Sequence, residues 1–263
     1  RLFLRQDPQR QFHQLFRRRL GRGAHHQVFG ALVHREHDDL ADVGLIGWQH
    51  DDPGHASGAP AVNVSCYDHG LPDIPQCTVN EQIVGEMAAA HLLDRGLRHF
   101  AYYGPSDRPG YRDKPGDFFV KTVRAQGFDC HTTHRIPEEL EQRIRRGQFD
   151  NNLLTWLKNL PKPIGLFTWS DVQGLRITGA CRAAGVRVPE EIAVLCGESD
   201  DLMSMVSRPT LSSIDTAPTR IGYEAAVLLD ELMQGKRPNT PTRLVPPNSV
   251  ISMGSTDTLA VPD

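Results

Sequence analysis

The sequence predicts an α/β protein with parallel sheets flanked by helices, and three features predict it. Apolar runs of strand length alternate with amphipathic stretches of helical length, those stretches stop on Gly96, Gly127, Gly185 and Gly235, and polar side chains gather just after several of the apolar runs.

Residues 43–47 (V-G-L-I-G) and 61–65 (A-V-N-V-S) are buried-strand runs separated by a Pro/Gly-rich loop. Asn80 reads as a helix N-cap with Glu81 in the first turn, Val84, Met87, Ala88, His91 and Leu92 on one face, and Gly96 as the stop. The strand 100–104 (F-A-Y-Y-G) follows, which makes a βαβ unit on a parallel sheet. After a loop over 105–117, a helix at 118–125 ends at Gly127, and another at 153–160 leads through Pro161 and Pro163 into the strand 164–169. The cycle repeats with a helix at 171–184, strands at 192–195 and 211–214, and a long helix at 219–234. Its residues Ile221, Ala225, Leu228, Leu229 and Leu232 recur at helical spacing, so one face packs on a sheet. The last apolar runs, 242–245 and 250–251, read as a closing hairpin or edge pair.

Residues 1–40 stand apart: Arg17, Arg18, Arg19 and Arg22, the pair His25 and His26, and His34 and His37 fall there with little apolar period and no strand or helix pattern. A basic arm contacting nucleic acid is one reading of such a run. No helix-turn-helix pattern accompanies the arginines, so we read an atypical start, disordered or misframed, with the folded domain over 41–263.

With 263 residues, 39% hydrophobic and 23% charged, and a formal net charge of −3, the composition is that of an ordinary soluble globular protein. No apolar run approaches the roughly 20 residues needed to cross a bilayer. The first residues carry no secretory signal, and the absent initiator Met suggests a processed chain or a fragment. Cys66, Cys77, Cys130, Cys181 and Cys196 are scattered, without C-x-x-C or metal-ligand spacing, which reads as reduced thiols of a cytoplasmic protein.

Enzyme motifs are missing: there is no G-x-S-x-G elbow, no phosphate loop and no H-E-x-x-H pair, so we expect no enzyme, no cofactor and no metal. What stands out is where polar residues follow strands, the place where open α/β sheets bind small molecules. Ser170 and Asp171 follow the strand ending at Trp169; Glu198, Ser199, Asp200 and Asp201 follow Gly197; Arg108, Arg112 and Lys114 follow Gly104; and Asn80 opens a helix after an extended segment. Carboxylates accept from vicinal hydroxyls, Arg and Lys donate to ring oxygens, and Trp169, Tyr67 or Tyr111 can cover an apolar sugar face. That inventory suits a neutral polyhydroxylated ligand. The plainer reading is that Asp171 caps its helix while Glu198 and Asp200 turn the chain.

Several motifs carry a resemblance: 80–96 (N-E-Q-I-V-G-E-M-A-A-A-H-L-L-D-R-G), 98–104 (R-H-F-A-Y-Y-G), 184–194 (A-G-V-R-V-P-E-E-I-A-V), 207–214 (S-R-P-T-L-S-S-I), 221–235, and 255–260 (S-T-D-T-L-A). From about residue 43 onward the chain resembles the effector-binding region of xylose-operon regulatory proteins. These share the two-lobed, type I fold of periplasmic sugar-binding proteins and lactose-repressor-type regulators. The resemblance implies a sugar effector between two lobes, a homodimer whose geometry the ligand shifts, and DNA reading by a helix-turn-helix domain beyond Asp263, outside this chain. It matches cleanly at Asp171. Asn80-Glu81 and Glu198-Ser199 stand where an Asp-Asn pair is usual, Met253 stands where Arg is usual, and Lys114 is the nearest candidate for an expected Arg. The resulting ligand set is Asp171, Glu198, Ser199, Lys114, Arg112, Asn80 and Trp169, with xylose or a related pentose as ligand. A transport-associated periplasmic sugar-binding protein is the alternative on the same fold.

Overall fold

A computed structural model describes residues 31–34, 43–47, 60–64, 74–104, 114–134, 151–199, 205–236, 238 and 240–258. In chain order the elements are β1 (Ala31–His34), β2 (Val43–Gly47), β3 (Ala61–Asn63), β4 (Gln76–Val79), α1 (Glu81–Leu93), β5 (His99–Gly104), α2 (Lys114–Ala125), β6 (Cys130–His134), α3 (Asn151–Asn159), β7 (Ile164–Thr168), α4 (Asp171–Ala184), β8 (Ile192–Cys196), β9 (Ser212–Asp215), α5 (Pro218–Met233), β10 (Thr242–Val245) and β11 (Ser249–Ile251). They fall into two units, one of Arg1–Thr78 with Thr219–Leu244, the other of Val79–Pro218 with Val245–Asp263.

The first unit is built on a sheet ordered β1-β2-β3-β4-β10. β2 and β3 run parallel, Leu45 beside Ala61, while β1 is antiparallel to β2. Helix α5 buries Ala225, Leu228 and Leu229, the stripe its apolar spacing marks out. Arg243 of β10 donates to Glu224 Oε2 at 3.3 Å and Glu231 Oε2 at 3.2 Å, which ties the strand to two points about two turns apart on α5.

The second unit is a three-layer α/β/α sandwich on a sheet ordered β11-β9-β8-β7-β5-β6. Side chains alternate across a strand, so β5 sends Phe100 and Tyr102 to one face and Ala101 and Tyr103 to the other. The first face meets α1 and α2 through Val84, Leu92, Phe119 and Val123, and the second meets α3 and α4 through Leu157, Ile177 and Cys181. β7 and β8, each buried along its whole length, lie in the middle of the sheet, as continuous apolar runs covered on both faces should. Phe119 and Phe167 stack at 5.0 Å between ring centres, with Tyr102 5.6 Å from Phe167.

Local signals explain the helix ends. The Asn80 side chain accepts from Ile83 N at 3.4 Å, so α1 starts on the residue whose side chain satisfies an otherwise orphaned amide. Helix α4 ends where Gly185 turns left-handed at φ 72°.

Three expectations change. The two last apolar runs do not pair: β10 joins β4 in the first sheet, and β11 runs antiparallel to β9 in the second. The strands on either side of α1 also belong to different sheets, so β4, α1 and β5 form a crossing between units rather than a βαβ unit of one sheet. The parallel pairing expected of β5 is instead with β6 and β7. Finally, residues 31–34 of the atypical start form β1; the remainder of 1–40 lies outside the described residues.

A directional chain of hydrogen bonds ties the C-terminal turn at Gly254–Thr256 to the second unit. Arg95 donates from Nε to Thr256 O at 2.6 Å, from Nη2 to Ser252 Oγ at 2.8 Å, and from Nη1 to His91 O at 3.0 Å. Its Nη1 also faces His91 Nδ1 at 3.1 Å, and since the guanidinium can only donate, Nδ1 accepts. His91 therefore carries its proton on Nε2 and gives it to Thr256 Oγ1 at 2.9 Å; Thr256 donates in turn to Ser212 Oγ at 2.7 Å, and Ser212 to Met253 O at 2.9 Å. Burial, then the neighbouring Arg95 charge, lowers the His91 pKa to about 4. Ser255 Oγ donates to Val194 O at 2.6 Å and accepts from Ser212 N at 2.8 Å, stitching the turn to β8 and β9.

Among the described residues Cys77, Cys130, Cys181 and Cys196 are buried free thiols, and burial raises the thiol of each. No described helix is long and apolar enough to cross a membrane.

Candidate functional site at the strand ends

At the C-terminal edge of the second sheet, β7 stops at Thr168 and the chain passes through Trp169 and Ser170 into α4. Ser170 is extended (φ −143°, ψ 162°) and makes no side-chain cap bond. Asp171 opens the helix and is only 5% exposed; its Oδ1 accepts from Val172 N at 2.7 Å. One carboxylate oxygen thus does the local, helix-opening work of the plainer reading. The neighbouring strand β8 ends at Cys196, and Gly197 N donates to Thr168 O at 2.7 Å, which holds the following Glu198-Ser199 loop against the end of β7.

Glu198 lies within electrostatic reach of Asp171 and of Glu81, the buried first residue of α1. Burial, then the negative charges of Asp171 and Glu81, pushes the Glu198 carboxyl up to about 7. Its residue surface is nevertheless exposed. Asp171 also raises the pKa of Cys196 beneath α4, after burial as the larger cause. Asp171 at the start of α4 and Glu81 at the start of α1 thus both act electrostatically on Glu198, which follows β8. Among the described residues no group of three or more His, Cys, Asp or Glu is arranged to hold a metal ion.

Of the residues expected from sequence, Asp171 and Glu198 follow adjacent strands within electrostatic reach of each other, and Glu81, which the sequence places in a helix first turn, also acts on Glu198. Asn80, next to Glu81, is half-buried and held by its own cap bond and by donation from its backbone N to Val245 O at 2.7 Å. Trp169 is half-buried and packs on the Phe100–Phe167 side of the core, and Ser199 is half-buried beside Glu198. Lys114 is the first residue of α2. Arg112, Arg108, Tyr67, Tyr111, Asp200 and Asp201 lie outside the described residues. Met253 enters through its backbone, donating from N to Ser212 Oγ at 2.8 Å.

A second polar group occupies the same edge on the α3 and α4 side. Register places Tyr103, Thr168 and Cys196 in one row across β5, β7 and β8. Above Tyr103 lies Arg176 of α4, its guanidinium carbon 5.9 Å from the ring centre, and Trp156 of α3 lies 6.4 Å from the same ring. Arg176 Nε and Nη2, Gln173 Oε1 and Thr168 Oγ1 are shielded from solvent and have no hydrogen-bond partner. In sequence, Arg176 is one more polar residue on an amphipathic helix, and nothing in the spacing distinguishes it.

The two units, the parallel second sheet and polar residues at its strand ends define a class. Residues 89–256 match the family described as periplasmic binding protein-like domain, and the chain belongs to that family. Among curated proteins it is similar to the xylose operon regulatory protein of Haemophilus influenzae, 29% identical over 73% of this chain and 49% of that one. It is also 27% identical to the protein of that name in Escherichia coli, over 78% of this chain and 53% of that one. Among solved structures, that of a xylose-binding transcription activator superposes with a TM-score of 0.63 at 24% identity, covering 80% of this chain and 56% of the other. The chain spans about half the length of the curated relatives it matches.

Proposed function

We propose that this chain is the effector-binding domain of a transcriptional regulator of sugar catabolism, and that its effector is a neutral pentose such as xylose. The observation that carries the reading is the placement of Asp171 and Glu198 just beyond the ends of the adjacent strands β7 and β8, within electrostatic reach of each other, where parallel α/β sheets bind ligands. Carboxylates are acceptors, and a polyol offers several donating hydroxyls to them. Asp171 is the principal acceptor. Glu198 and Ser199 take neighbouring hydroxyls, Asn80 and Lys114 or Arg112 contribute donors, and Trp169 covers a ring face. The names of the curated relatives support the regulatory side of the reading. We further propose that the protein works as a cytoplasmic homodimer acting on DNA.

Ligand that binds only the folded state raises the melting temperature by mass action, so a thermal-shift panel of pentoses and hexoses tests the reading directly. A selective shift with xylose or a near relative is expected, and Asp171→Asn should remove it while the variant still melts cooperatively. A cooperative melt indifferent to every sugar, or a shift that survives Asp171→Asn, overturns the assignment.

A further inference from the structure

Buried guanidinium groups are ordinarily paired, because an unpaired charge away from water is costly. Arg176 departs from that rule: Nε and Nη2, the two donors that together form one edge of the fork, are both shielded and both unfilled. The departure is not isolated. Gln173, one turn earlier on α4 and 4% exposed, has an unfilled Oε1, and the hydroxyl of Thr168, fully buried, is unfilled in the row below. The guanidinium carbon lies 5.9 Å from the centre of the Tyr103 ring, which Trp156 neighbours from α3. Positioned donors are thus held in place with nothing to receive them.

We infer that the corner formed by Arg176, Gln173 and Thr168 is a subsite for a carboxylate, so that this domain prefers a sugar acid over the neutral sugar of the same carbon skeleton. The inference rests on the effector-domain reading and changes the substrate class within it. An Nε and Nη2 pair matches the two oxygens of a carboxylate in a bidentate arrangement, which a lysine ammonium cannot reproduce. Gln173 Oε1 accepts from an adjacent hydroxyl of the ligand, and the Thr168 hydroxyl donates to or accepts from a further oxygen. A neutral pentose leaves the Arg176 charge uncompensated and so forgoes the charge-assisted part of the binding.

Isothermal titration of the whole chain with xylose, xylonate and glucuronate tests this, alongside Arg176→Lys and Gln173→Glu. Xylonate or glucuronate should bind at least about tenfold more tightly than xylose, the equivalent of about 1.4 kcal/mol. Arg176→Lys should cut that preference at least about tenfold, because charge is kept while the fork is lost. Gln173→Glu places a carboxylate beside the empty fork. It should raise the melting temperature and abolish acid binding, an outcome that does not depend on the arginine variant folding. If xylose binds and the acids do not, or if the acid preference survives Arg176→Lys, the subsite is overturned while the effector-domain reading stands. A failure of all three ligands to bind the folded chain overturns both.

Discussion

Acidification from pH 7 to pH 5 should weaken the second unit through His91. In the folded chain Arg95 donates to His91 Nδ1 and Thr256 accepts from Nε2, so a second ring proton would have to enter the one position that faces a guanidinium. Burial first, and the Arg95 charge second, lower the pKa from 6.5 to about 4. Between those values the unfolded chain binds a proton that the folded chain refuses, so stability rises with pH in this window and is lost as pH drops. Each pH unit is worth about 1.4 kcal/mol, so the fall from 6.5 to 5 costs on the order of 2 kcal/mol from this one residue. His91→Gln keeps an acceptor and a donor on the side chain and does not titrate. Urea unfolding followed by tryptophan fluorescence at both pH values, on wild type and on the variant, isolates the term because other groups cancel in the comparison. The variant should lose about 2 kcal/mol less than wild type on acidification. Identical pH dependence would refute the proton assignment along the Arg95, His91 and Thr256 chain.

Other consequences are equally direct. If Glu198 accepts from the effector, its carboxyl, pushed up to about 7, accepts more strongly and with both oxygens once ionised, so ligand affinity should weaken as pH falls from 8 to 6 and Glu198→Gln should flatten that dependence in calorimetric titrations. Gly174→Ala should destabilise by about 1–3 kcal/mol in denaturant unfolding, because a Cβ there runs into Cys196 Sγ and lies 3.1 Å from Leu211 Cδ1 beneath α4. Ser255→Ala strips partners from Val194 O and Ser212 N at a fully buried position, and about 2–4 kcal/mol should disappear from the same measurement. Hydrogen exchange should then show loss of protection centred on β8 and β9.

Elements whose signals are local were legible in the sequence. Asn80 begins a helix because its own side chain caps it, Gly185 ends one because it accepts φ 72°, and 100–103 alternates because both faces of its sheet are covered. β6 was not legible, since Cys130, His131, Thr132, Thr133 and His134 form an edge strand with exposed positions and no apolar run. The separation of β10 from β11 was invisible for another reason. Pro246, Pro247 and Asn248 between them look like a turn, yet the choice of strand partner is made by distant segments. The site divides the same way. Asp171 and Glu198 declared themselves by following strands, whereas Glu81 acts on Glu198 from a distant segment of the chain. Arg176 is conspicuous only once its missing partners are counted in three dimensions.

The sheet of the first unit has a bearing on how the chain is made. β4 precedes the bulk of the second unit in the sequence, and its neighbour β10 follows it. During synthesis β4 therefore leaves the ribosome with one edge unclaimed, and it stays so until β10 has emerged. The second unit, by contrast, has five of its six strands and four helices before that point and can order itself first. The N-terminal half of the message thus encodes an unfinished sheet, and truncation anywhere before β10 should release a nascent chain with an open strand edge, the kind of surface that chaperones and proteases recognise.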